Sequence, residues 1–249
     1  SGIVVANGIS TTDLNAVGST ALKLAQSLMG PGVTNISGAT FTGDKSQAGS
    51  ISIADPQVVS FNTGVILSSG NIADIVGPNK SDGITGDFNN PGDTDLDALI
   101  ANTQTVHPAT YDAASLEFNF TPNTDTVYFT YVFGSDEYLE WVNLYNDVFG
   151  LYVNGSNCAL TPSNAQTPGV PVTIDTINSN VNSSLFRDNA YALTAFPDPA
   201  NPMPVLNIES DGLSVEMICK AHVNVGISNH IKFVIADTSD HILDSVVMI

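Results

Sequence analysis

Asp136, Glu137, Glu140 and Asp147 stand in one acidic excursion between two runs rich in aromatic and β-branched residues, within TVYFTYVFGSDEYLEWVNLYNDVFGLYV at residues 126 to 153. No Lys or Arg occurs between positions 81 and 186 to neutralise them. Like charges about 4 Å apart repel by roughly 4 kcal/mol at an effective dielectric near 20, so carboxylates gathered beside a buried sheet call for a cation. The donors within reach are carboxylate, Asn and backbone oxygens, with neither Cys nor His in the excursion. That donor set suits a hard divalent ion, calcium before others. Asp136, Glu137, Asn146 and Asp147 are the expected ligands.

Two further clusters repeat this chemistry. Asp93-Thr94-Asp95-Leu96-Asp97 resembles the opening of an EF-hand, yet Ala98 stands where that loop needs Gly and Gln104 where it needs a bidentate Glu. A different calcium loop through Asp93, Asp95 and Asp97 is expected, the alternative being Asp N-caps on a short helix through Ala98 to Asn102. Asp237, Asp240 and Asp244 form the last cluster, for which Asx turns are the alternative. Several calcium ions, in the loops 93 to 97, 134 to 147 and 237 to 244, are the resulting expectation.

Strands must position these loops. Val127 to Phe133 and Val148 to Val153 have the composition of central strands, Leu116, Phe118 and Phe120 alternate with Glu117 and Asn119, and Ile231 to Ala236 is another apolar run. If the strands before the excursion and before the last cluster are sheet neighbours, their loops converge at one end of a sandwich and share a cation. A ligand captured there would meet Asp136 and Asp240 at the shared site, with Ser68, Ser69 and Ser135 as hydroxyl contacts. Arg187, the only Arg, could pair a ligand carboxylate through its fork, or make an ordinary salt bridge to one of the 25 acidic residues.

Val33 to Phe41, Ile51 to Ile53, Gly64 to Gly70, Val170 to Ile177 and Leu213 to Ile218 read as further strands, and Asn154-Gly155 as a two-residue hairpin. Thr11-Thr12-Asp13 ahead of Leu14, Val17, Ala21, Leu22, Ala25 and Leu28, with Gly30-Pro31-Gly32 behind, predicts a core-packing helix over 13 to 29. Residues 77 to 95 are too long for a plain connector, which marks them as functional or mobile. The expected fold is mainly β: one antiparallel β-sandwich domain over residues 1 to 249, with one N-terminal helix and long calcium-binding loops.

Length and composition exclude several classes. At 43% hydrophobic, 249 residues suffice for a full core. Six basic against 25 acidic residues make a net charge of -19, which repels nucleic acid and anionic lipid. Only 12% of residues are charged, so the chain is no disordered acidic tail, and a solvated acidic surface is the bland account of its charge. Direct membrane insertion is not expected, since no run nears the roughly 20 apolar residues of a span. Cys158 and Cys219 permit one disulfide without demanding it. GxSxG, SxxK, HExxH, GxGxxG and P-loop patterns are missing, and His107, His222, His230 and His241 form no i, i+4 pair for zinc. Glu137 and Glu140 could serve a glycosidase, but a bound cation would keep both ionised where one acid of raised pKa is needed. No enzyme activity is expected. The chain ends at Ser245 to Ile249 within what reads as a strand, so a domain excised from a larger exported protein is expected.

Gly64 to Gly70, Gly77-Pro78-Asn79, Pro91 to Asp97, Tyr111 to Ala114 with Leu116-Glu117-Phe118, Tyr131 to Tyr138, Asn146 to Gly150 and Ile235-Ala236-Asp237 together resemble, in order, the choice-of-anchor L domain of exported bacterial surface proteins. Phe133 to Tyr138 followed by Asn146 to Gly150 is the most specific part. The chain is also similar to the calcium-dependent peptide-binding domains near the tips of long repeat-in-toxin (RTX) adhesins. That resemblance implies a β-sandwich with several calcium ions, one of which helps hold the free C-terminal carboxylate of a peptide or protein on a host or neighbouring cell. It implies an extracellular place on the bacterial surface, a role in cell adhesion and biofilm formation, and a monomer when isolated. A calcium-rigidified extender and a calcium-dependent carbohydrate-binding module are the alternatives, because all three draw on the same acidic loops.

Overall fold

Successive side chains of a strand face opposite ways, so a strand that reads as an unbroken apolar run must be covered on both faces. A computed structural model describes residues 8–101, 109–190 and 206–249. In chain order its strands are β1 (Ile9–Asp13), β2 (Val33–Thr42), β3 (Ala48–Ile53), β4 (Thr63–Ser68), β5 (Thr110–Pro122), β6 (Thr126–Ser135), β7 (Val148–Val153), β8 (Ser156–Asn157), β9 (Val172–Thr173), β10 (Phe186–Asp188), β11 (Gly212–Ser214), β12 (Met217–His222), β13 (Asn229–Thr238) and β14 (Ser245–Met248). The helices are α1 (Ala21–Leu28) and α2 (Thr94–Ile100).

The strands form two antiparallel sheets packed as a sandwich. One runs β1-β3-β4-β14-β6-β11-β10, with β12 also on β6; the other runs β2-β5-β13-β7-β8, with β9 also on β7. Between them, Phe129, Tyr131 and Phe133 of β6 share a core with Phe149 of β7 and with Ile231 and Phe233 of β13. Phe129 and Phe233 pack edge to face across the sheets, centroids 5.2 Å apart. The intervening positions are buried as well. Val132 lies with Ile66, Leu213 and Val246 beneath Ile72 and Ile75, and Val234 and Ala236 lie with Val148 and Tyr152 beneath Leu96 and Ile100 of α2. Cys158, just past β8, and Cys219 on β12 form a disulfide that ties one sheet to the other.

Several local expectations give way to pairing. Residues 9 to 13 do not open a helix; they pair as β1 with β3, and Gly18 at φ 80° turns the chain before α1. The cap is Thr20, whose hydroxyl accepts from Lys23 N at 3.2 Å, and Val17 is exposed. Of Val170 to Ile177 only β9 is strand, because the Thr176 hydroxyl donates to the Pro171 carbonyl at 2.6 Å and folds the rest into a turn. Leu213 to Ile218 divides into β11 and β12, which pair with successive parts of β6. The hairpin at Asn154-Gly155 is present, with φ of 49° and 82°, the positive values that a two-residue turn between β7 and β8 demands. Asn102, Gln104 and His107 lie outside the described residues. Most consequential for the site, β6 and β7 do not share a sheet.

Candidate functional site

Because β6 ends at Ser135 in one sheet and β7 begins at Val148 in the other, residues 136 to 147 cross the sandwich. Residues 239 to 244 cross back from β13 to β14. Ser245 pairs with Ser135 and Ala236 with Val148, which sets the two crossings side by side at one end. Hydrogen bonds tie them together. Thr238 N donates to Asp147 Oδ1 at 2.8 Å, Thr238 Oγ1 to the Asn146 carbonyl at 3.0 Å, Ser245 Oγ to Asp147 Oδ2 at 2.6 Å and Asp136 N to the Asp244 carbonyl at 3.2 Å. The two loops thus converge, through the β6–β14 and β7–β13 pairings and not through β6 lying beside β13.

Asp136, Glu137, Asp147, Asp237 and Asp244 are each at most 5% exposed. Glu137 Oε2, both Asp237 oxygens and Asp244 Oδ2 are buried without a hydrogen-bond partner. The Ser69 hydroxyl faces Asp237 and favours its charge, but it donates to the Ser245 carbonyl and accepts from Ser245 N, so Asp237 keeps no well-formed bond. Burial first, and then neighbouring carboxylates, disfavour ionisation throughout. Glu137 is pushed up to about 11, Asp147 to about 8 and Asp244 to about 7, while Asp136 and Asp237 rise well above the ordinary carboxylate range. The charged neighbours acting on each of these five are other carboxylates. Asp240 is less confined: half-buried, it accepts from Ile242 N at 3.0 Å in an Asx turn.

The aperiodic stretch from 77 to 95 laces this centre with backbone amides. Ile84 N donates to Asp136 Oδ2 at 3.1 Å and Gly86 N to Asp244 Oδ1 at 2.9 Å. Gly70 leaves room for this carboxylate, since a Cβ there would stand 1.7 Å from Asp244 Oδ2 and displace it. Below lies a cavity of about 10 Å³, the room of a single water or ion, where Asp74, Asp136, Glu209 and Asp244 meet an apolar wall that includes Ile66, Ile72 and Val246. Asp74 and Glu209 escaped sequence reasoning. The available signal was the pair Glu209 and Asp211, acids that follow the apolar Leu206 and Ile208.

Chemically, these residues fit a hard dication. An ion would meet the unpartnered oxygens and offset both burial and mutual repulsion. Among the described residues no three carboxylates of this centre lie within 4.8 Å of one another, so backbone carbonyls and water would complete the six to eight oxygens calcium takes.

The other expected residues have partners within the protein. Asn146 Oδ1 accepts from Asp175 N at 2.9 Å, so its side chain braces the following loop. Asp93 caps α2, and Lys232 Nζ lies 2.6 Å from Asp93 Oδ2 and 2.8 Å from Asp95 Oδ2. Asp97 Oδ1 accepts from Thr110 N at 2.8 Å. That loop is a helix cap in which Lys232 offsets part of the charge of Asp93 and Asp95, so its demand for a cation is smaller than at the crossings. Ser68, Ser69 and Ser135 are buried; the first two donate to the Ser245 carbonyl and the third accepts from Glu137 N, which makes them joints between segments. Arg187 sits on β10, donating to the carbonyls of Ser214 and Gln57, with Glu216 as its charged neighbour.

No curated protein and no solved structure matches the chain. The family model of the choice-of-anchor L domain matches residues 12–249, which take in both crossings, the amide-rich stretch and Gly70. The chain belongs to the choice-of-anchor L domain family, a family of surface-associated domains.

Proposed function

We propose that the acidic centre holds calcium and that the domain is a calcium-dependent adhesion module of a bacterial surface protein, recognising the free C-terminal carboxylate of peptides or proteins on other cells. One observation supports this above the rest: buried carboxylates whose charged neighbours are carboxylates, with oxygens left unpartnered. Neutral pH and these surroundings are compatible only if a cation enters or protons remain. A protein of charge -19 attracts an anionic group only where a bound cation reverses the local potential, and a calcium with one coordination position open to solvent does so. Half-buried Asp240 and the Trp141–Tyr145 pair, centroids 5.6 Å apart, lie on the same two crossings and would form the outer wall. The Cys158–Cys219 bond suits an oxidising, extracytoplasmic setting.

A second reading has its own support. Ser68, Ser69 and Ser135 face inward and Arg187 is held by carbonyls, as in a calcium-rigidified extender that binds nothing. Calorimetry with one peptide carrying a free C-terminus, its amidated twin and a glycan panel, in calcium and after calcium removal, separates these readings. We expect heat from the free carboxylate alone, and only in calcium. Equal affinity for both peptides would overturn carboxylate recognition, and calcium-dependent stability without any ligand would leave the extender.

A further inference from the structure

Asp87, Asp112 and His241 come from three separate segments: the amide-rich stretch, β5 and the β13–β14 crossing. One ligating atom from each lies within 4.8 Å of the other two. His241 Nδ1 shares a hydrogen bond of 3.0 Å with Asp112 Oδ2 and stands 3.9 Å from Asp87 Oδ1. Asp112 is wholly buried, and Phe88 N at 3.1 Å and Asn90 N at 2.5 Å hold its two oxygens in place. Tyr111 packs on the imidazole, centroids 4.5 Å apart. Asp237, buried with neither oxygen hydrogen-bonded, lies near enough to Asp112 for their charges to repel. On the other side the group is open to solvent, the side chains of His241 and Asp87 being 23% and 58% exposed.

We propose that Asp87, Asp112 and His241 form a second, chemically distinct metal site that takes a first-row transition dication, with Zn²⁺ as the probe. Imidazole nitrogen is a borderline-soft donor that zinc accepts readily, whereas calcium favours oxygen alone. Tetrahedral zinc with bonds near 2.1 Å sets its ligands about 3.4 Å apart. The separations of 3.0 and 3.9 Å bracket that value. Three protein ligands and an open side leave the fourth position to water. The ion takes the place of the proton between Nδ1 and Asp112, which is released to solvent, neutral His241 then carries its proton on Nε2, and the amides of Phe88 and Asn90 keep Asp112 aimed at the ion.

This site does not rest on the calcium reading, and its test is run with calcium present. The full chain in millimolar calcium is dialysed against micromolar ZnCl2, and in parallel against CoCl2, whose visible absorption is intense only in a tetrahedral site. One zinc per chain should bind without displacing calcium. His241→Ala and Asp87→Asn should each weaken zinc binding by at least about tenfold, with His230→Ala as an unaffected control. Because the Asp87 side chain is 58% exposed, the calcium-dependent melting temperature of the Asp87→Asn chain should stay at the parent value, which checks the fold, whereas His241→Ala also loses its packing on Tyr111 and its bond to Asp112. The proposal is overturned if zinc fails to bind, if calcium competes it away, if the His241→Ala chain binds undiminished, or if only one of the two variants loses affinity.

Discussion

In calcium-free protein, stability should fall as pH rises, the reverse of a protein whose carboxylates are well paired. Asp244 shows the sign. Its ordinary pKa of 3.8 rises to about 7 in the fold. Below pH 3.8 folded and unfolded chains are both protonated there and the full stability is present. Above it the unfolded chain ionises first, and stability is lost at about 1.4 kcal/mol per pH unit until the folded pKa is passed. Between pH 4.5 and 8 this one group costs about 3 kcal/mol, which in a chain of this size lowers Tm by roughly 6 to 12 °C. Asp147, pushed up to about 8, acts in the same direction, and since Asp147 and Asp244 repel each other their losses do not simply add. Calcium binds the ionised groups, so its stabilisation grows with pH and should hold Tm level or raise it. The measurement is Tm from pH 4.5 to 8, followed by circular dichroism and by fluorescence of the single tryptophan, Trp141, in calcium-stripped protein and in excess calcium. Parallel curves in the two conditions, or a level calcium-free curve, would refute the electrostatic account of the centre.

Asp237→Asn removes a buried charge that lacks a hydrogen bond, so it should raise the calcium-free Tm at pH 8 while weakening calcium binding at least about tenfold; a change of the same sign in both titrations would contradict this. Lys232→Met strands Asp93 and Asp95 and should cost about 2 kcal/mol in urea unfolding, recovered in part when both aspartates are also made Asn; an unchanged midpoint would mean that solvent already balances the α2 cap. Opening the Cys158–Cys219 bond, which spans 61 residues, should cost about 4 kcal/mol on chain-entropy grounds, read as a lower Tm after reduction and thiol blocking, with calcium binding retained.

What each residue requires was legible locally. Leu116, Phe118 and Phe120 alternate with Glu117 and Asn119, and β5 places the apolar set in the inter-sheet core and leaves the polar set partly exposed. The mixed apolar runs of β6, β7 and β13 announced burial on both faces, and the Asn154-Gly155 turn announced its positive φ values. Acid crowded into residues 136 to 147 without a basic neighbour announced an unmet charge, and three of those four carboxylates, Asp136, Glu137 and Asp147, are buried.

Which partner each residue meets was decided only by contacts between distant parts of the chain. Ser135 pairs with Ser245 and Val148 with Ala236, so the convergence of the crossings depends on ladders that no local pattern encodes. Lys232 meets Asp93 from 139 positions away, and His241 meets Asp112 across 129, which is why the acids at 93 to 97 cap a helix beside a lysine and a histidine weighed only by its spacing stands among carboxylates. The helix expected over 13 to 29 is shortened to Ala21–Leu28 for the same reason: backbone groups of residues 9 to 13 gain a full ladder on β3, a partner invisible in the local period. Local sequence states the need for burial, a hydrogen bond or a counter-charge; the packed sheets determine what meets it, because they bring together groups whose separation along the chain carries no periodic signal.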